Sequence, residues 1–137
     1  MYFTGRLWKE GKHWLIAVPA LDVMTQAKTR HGAYKMLKDA VKLLVNKNFF
    51  HVQMYPLNHN SFIVDGRPDK EWVALMLKRQ RAKNNVTLDE LAKRLKIKSR
   101  NAYAQYEQGK NLPSLTKIQE FLRAMNSKMV LALDVIA

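Results

Sequence analysis

The pentapeptide Asp65-Gly66-Arg67-Pro68-Asp69 separates two stretches of different hydrophobic periodicity. Gly and Pro flanked by charges interrupt helix and strand alike, so the segment reads as a domain boundary. Before it, short runs of β-forming residues surround one helical pattern; after it, helical patterns succeed one another up to an apolar tail. A chain patterned this way is α+β: a small N-terminal antiparallel sheet with one covering helix, an all-α unit of about four helices, and a C-terminal strand. The expected layout is a sheet domain over 1–65, a linker over 66–71, a helical domain over 72–126 and a strand over 127–137. That last strand is a candidate for pairing between chains.

Within the first part, Tyr2 to Lys9 is rich in β-formers and Glu10-Gly11-Lys12 makes a turn. Trp14, Ile16 and Val18 then alternate with Leu15 and Ala17 up to Pro19, which completes a hairpin. A third strand is expected over Val23 to Gln26. Thr29 is placed to cap the helix that follows. In that helix Ala33, Met36, Leu37, Ala40, Val41 and Leu44 share one face, and Arg30, Lys35, Lys38, Asp39 and Lys42 take the other. Phe50 to Leu57 and Ser61 to Val64 read as further strands joined by Asn58-His59-Asn60.

Past the boundary, Val73, Leu75, Met76 and Leu77 begin a helix that turns basic at Lys78-Arg79-Gln80-Arg81 and stops at Asn84-Asn85. Thr87 with Glu90 forms a capping box for a second helix, whose inward side is Leu88, Leu91, Ala92 and Leu95. A third helix runs from Ser99 to Gln108 and ends at Gly109, the residue best suited to a left-handed cap. Ser114, after Pro113, caps a fourth with Leu115, Ile118, Leu122 and Met125 apolar.

Two short helices around a tight turn answer a physical need. The major groove, about 12 Å wide, admits one helix, which a second must brace against the backbone. With Ala102 and Tyr106 facing inward, Arg100, Asn101, Tyr103, Ala104 and Gln105 are expected on the reading side. Arg matches guanine edges, and Asn or Gln matches adenine. Thr87, Lys98, Ser99 and Lys110 flank them as further DNA contacts, with Lys98 and Lys110 assigned to phosphates. Glu107 is expected to anchor the end of the reading helix rather than to act chemically. The charge supports a polyanionic partner: the chain carries 24 Lys and Arg against 11 Asp and Glu, a net +13. Much of the excess falls between Lys78 and Arg100, where Lys78, Arg79, Arg81, Lys83, Lys93, Arg94, Lys96, Lys98 and Arg100 face only Asp89 and Glu90.

The run Thr87-Leu88-Asp89-Glu90-Leu91-Ala92, with Tyr106-Glu107-Gln108-Gly109-Lys110 and Pro113-Ser114, resembles the XRE (Cro/C1-type) helix-turn-helix family. Arg100 to Gly109 is similar to the HicB antitoxins that carry such a domain. Trp14 to Val18, Pro19-Ala20-Leu21, Thr25-Gln26 and Asp39-Ala40 resemble the HicB N-terminal pattern. Three positions depart from these families: Ala27 where Gly follows Thr-Gln, Gly32 where an acid precedes the helix's Ala, and Lys96 where the turn carries Gly. Counted from Leu91 to Glu107, the turn is also one residue longer than in most XRE domains.

The resemblance implies a HicB-like, partial RNase H-like N-terminal domain that binds and silences a HicA-like RNA-cleaving toxin. It also implies a C-terminal domain that represses the shared operon by binding double-stranded operator DNA, as a homodimer or higher oligomer. The alternative is a free-standing XRE-type regulator whose N-terminal domain serves dimerisation or sensing. An enzyme is not expected. His13, His31, His51 and His59 are scattered without ligand spacing, and the N-terminal half offers only Glu10, Asp22, Asp39 and Asp65 as carboxylates. No catalytic residue, metal or cofactor is therefore expected. The absence of cysteine, of a signal-like N-terminus and of a run of roughly 18 apolar residues suggests a cytoplasmic protein without membrane contact.

Overall fold

The computed structural model describes residues 1–136. Five strands, β1 (Tyr2–Glu10), β2 (His13–Val18), β3 (Val23–Ala27), β4 (His51–Pro56) and β5 (Ser61–Arg67), form one sheet of order β3-β2-β1-β5-β4. Every neighbouring pair is antiparallel. Gly11, at φ 59°, closes the β1–β2 hairpin, and a 3-10 turn, Pro19–Leu21, leads into β3. Helix α1 (Arg30–Val45) crosses from one edge of the sheet to the other; the Thr29 hydroxyl caps it by accepting from the Gly32 N–H at 2.9 Å.

Strand register places Phe3, Gly5, Leu7, Ile16, Val18, Val23, Val52, Phe62 and Val64 on one face, and this is the face buried in the core. Gly5 is required by that packing, because a Cβ there would stand 2.1 Å from the Phe62 ring. Helix α1 buries Ala33, Leu37 and Val41 against the sheet. Met36 and Leu44, expected on the same face, stay exposed, flanking the i, i+4 line of Ala33, Leu37 and Val41 that meets the sheet.

The expected linker is absent. Gly66 and Arg67 belong to β5, and α2 (Asp69–Lys83) begins two residues later, so 66–71 is the end of a strand and the first turn of a helix. Trp72 explains the tight join. Its ring stacks on Phe3 at 4.9 Å and lies over Gly66, where a Cβ would come within 2.3 Å of it. Trp72 to Leu77 are all buried, so α2 has no solvent face along this stretch. One side meets the sheet and the 3-10 turn, and the other meets the helices that follow. Those are α3 (Leu88–Arg94), α4 (Arg100–Glu107) and α5 (Leu115–Met125). A single hydrophobic cluster runs from Leu7 and Ile16 through Trp72 and Leu77 to Tyr103, Phe121 and Met125.

The strand expected over 127–137 is not formed within the described residues. The Met129 N–H turns back to the Asn126 carbonyl, and Gln119 clasps the base of the tail by accepting from the Leu131 N–H at 2.6 Å. Beyond that point Leu133 and Val135 are exposed. A strand needs a neighbour for its N–H and C=O groups, and none lies alongside these residues in the single chain. Ala137 lies outside the described residues.

Candidate nucleic-acid interface

The site is assembled from local backbone chemistry outward. Asn85, in the left-handed region at φ 54°, ends α2, and the Val86 N–H returns to the Arg81 carbonyl. Thr87 and Glu90 then exchange hydrogen bonds as a capping box that starts α3. Lys96 takes φ 57° in the turn, the position where the XRE family carries Gly. The backbone there closes with Ile97 N–H donating to the Ala92 carbonyl at 3.1 Å. Ser99 caps α4 by accepting from the Asn101 N–H, and Gly109, at φ 72°, ends it.

A buried polar network fixes the rotation of α4. Arg81, on α2, donates Nε–H and Nη2–H to the two Glu107 oxygens at 2.7 and 2.9 Å. Glu107 also accepts from the Tyr103 hydroxyl at 2.8 Å. Such a two-pronged Arg–carboxylate pair sets orientation as well as distance. Arg81 is held protonated above its usual range, chiefly by the Glu107 hydrogen bond. Burial first, and then the Glu107 charge, push the Tyr103 hydroxyl well above the usual tyrosine range. The Tyr103 ring meets Phe121 of α5 edge-on, centroids 5.0 Å apart.

This rotation corrects the expected reading face. Tyr103 and Ala104 are buried, at 1% and 7% exposure, and are unavailable to DNA, while Ala102 is exposed. The inward residues are therefore Tyr103, Ala104 and Glu107 rather than Ala102 and Tyr106, with Tyr106 half-buried against Phe121. Asn101, Gln105 and Gln108 form the outer stripe at helical spacing, beside Arg100 and Ala102. Gln108 was missed in the sequence and Ala102 was placed on the wrong side; the spacing 101-105-108 carries Gln108 once Tyr103 is recognised as the inward anchor. Asn111 joins the same side by donating to Gln105 Oε1 at 3.1 Å.

The remaining expected contacts, Thr87, Lys98, Ser99, Arg100, Asn101, Gln105 and Lys110, are all exposed. Arg100 lies 3.6 Å from Asp89 across solvent, an exposed pairing that a nucleic acid group can displace. The basic window is only partly free. Arg79 donates to the Leu21 and Asp22 carbonyls, Lys83 pairs with Asp22 at 3.5 Å, and Arg94 caps α5 through the Ala124 carbonyl at 2.9 Å. Lys78, Lys93, Lys96 and Lys98 are exposed and left for a polyanion.

The order and caps of α2 to α5, with a short exposed helix braced by a second, define a helix-turn-helix module on an α+β protein. Residues 77–131 match the family model for the helix-turn-helix, so this part of the chain is a DNA-binding helix-turn-helix domain of XRE type. No curated protein matches the sequence. No described helix is long and apolar enough to cross a membrane, and the described residues hold no cluster of metal-ligating side chains.

Proposed function

We propose that this chain is the antitoxin of a type II toxin–antitoxin pair, which neutralises a HicA-like RNA-cleaving toxin and represses its own operon through the helix-turn-helix. One observation carries the reading. Pro19-Ala20-Leu21, part of the HicB-like motif, is clamped to the DNA-binding half by Gln80, whose side chain donates to the Pro19 and Ala20 carbonyls at 3.0 and 2.8 Å. A protein bound to the sheet domain thus has a rigid route to the DNA-binding helices. Co-expression with the product of the adjacent gene is the test. The neighbour should arrest growth alone, lose toxicity beside this chain and co-purify with it; a harmless neighbour, or toxicity left intact, sinks the proposal.

A free-standing regulator is the second reading, favoured by charge. Residues 1–68 hold ten basic side chains (Arg6, Lys9, Lys12, Lys28, Arg30, Lys35, Lys38, Lys42, Lys47, Arg67) against Glu10, Asp22, Asp39 and Asp65. A net positive surface of this kind opposes a basic RNA-binding partner. Operator binding without any toxin link would leave this reading standing.

In either reading Arg100, Asn101 and Gln105 read bases. Each change to Ala should weaken operator binding by about 1–3 kcal/mol and alter sequence choice. Lys98 and Lys110 contact phosphates, so their loss should weaken operator and scrambled DNA alike and reduce the salt slope by about one each. Equal losses on both DNAs for Arg100→Ala would remove its base-reading role. The functional unit is a dimer joined through the apolar tail, because helix-turn-helix domains of this kind read paired half-sites. A chain truncated after Asn126 should then sediment as a monomer; a persistent dimer excludes the tail.

A further inference from the structure

We infer that the groove between α1 and the free edge of β4 binds an extended, acidic segment of a partner protein as an added sheet strand. The inference does not rest on the antitoxin reading. Strand β4 is the last in the sheet, so alternate residues turn their N–H and C=O groups away from β5. Proteins commonly blunt such an edge with charged side chains, but Val52 to Tyr55 carry none. Alongside runs α1, and the two enclose an open groove of about 590 Å³. Its floor is Val52, Met54 and Pro56, and its wall is His31, Tyr34, Lys35 and Lys38, one stripe of α1.

Two features specify the occupant. A helix lying beside an open strand edge is the geometry in which an extended peptide gains main-chain hydrogen bonds from the strand and side-chain contacts from the helix. The lining includes Lys35, Lys38 and His31 and no carboxylate, so the complementary side chains are acidic.

The test uses the full chain at physiological salt and three fluorescent peptides of equal length, read by anisotropy. One alternates Glu and Val, one alternates Lys and Val, and the third is the Glu–Val peptide with alternate backbone amides N-methylated. The Glu–Val peptide should bind at least about tenfold more tightly than either of the others, since each lacks one half of the recognition. Lys35→Glu with Lys38→Glu, two exposed positions whose change should leave the circular dichroism intact, should reverse the preference between the Glu and Lys peptides. Binding of the Glu–Val peptide should also slow hydrogen exchange at the amides of Val52 to Tyr55. Equal affinity for the methylated peptide would mean charge attraction to a basic protein and overturns the strand-addition site. So would binding unaffected by the double reversal, or no binding at millimolar peptide.

Discussion

Glu107→Ala is the change that most directly tests how the reading helix is held. It removes the acceptor for two Arg81 hydrogen bonds, at 2.7 and 2.9 Å, and for one from Tyr103 at 2.8 Å. Glu107 and Arg81 side chains are only 8% and 19% exposed, so water replaces these bonds poorly. Breaking one side of a buried pair costs about 3–5 kcal/mol, mostly by stranding the other charge. Arg81 retains its bond to the Val86 carbonyl at 3.0 Å, which places the expected loss near the lower bound of about 3 kcal/mol. Glu107→Gln keeps an acceptor and the volume but no charge, and should lose less, about 2 kcal/mol. Urea unfolding of both variants measures the values, and operator affinity measured where they remain folded separates stability from recognition. Affinity should fall with Glu107→Ala even though Glu107 faces inward, because α4 loses its rotational anchor. A loss under about 1 kcal/mol would refute the claim that this pair fixes α4.

Three further outcomes follow from the same contacts. Tyr103 has its proton affinity raised on folding, so its contribution is complete below the unfolded tyrosine value near 10 and is lost as pH rises towards the folded value. Above pH 10 the wild type should lose up to about 1.4 kcal/mol per pH unit relative to Tyr103→Phe; parallel pH curves for the two proteins would contradict this. Lys96→Gly should stabilise the domain by about 1 kcal/mol by relieving a left-handed residue at φ 57°, seen as a higher melting temperature. Gln80→Leu strands the Pro19 and Ala20 carbonyls and should cost about 2 kcal/mol in urea unfolding, with both halves still melting together.

Most of the elements were legible in the sequence, because each is marked by groups whose chemistry is local. Thr29, Thr87, Ser99 and Ser114 cap their helices in the structure, and Gly11 and Gly109 take the positive φ that their turns need. The helix-turn-helix followed from those markers, from apolar spacing and from the resemblance of Thr87 to Ala92 and Tyr106 to Lys110 to the XRE family. The candidate site was only half legible. Rotating α4 by one residue turns it about 100°, and apolar spacing over a helix of eight residues does not separate Tyr103 and Ala104 from Ala102 and Tyr106. The deciding contact, Arg81 with Glu107, joins residues 26 apart.

The sequence by itself determined where most strands and helices form, how α1, α3 and α5 begin, and that the C-terminal half carries a DNA-binding module. Only the tertiary structure decided which cations remain free, since Arg79, Arg81 and Arg94 are claimed by carbonyls and a carboxylate far along the chain. It also decided that the Gly-Pro segment is a joint rather than a linker, because Trp72 closes over Gly66 and α2 is buried from both sides. The tail shows the same division. Its apolar residues specify an extended strand, but a strand exists only where another backbone satisfies its N–H and C=O groups, and the single chain supplies none to its described residues.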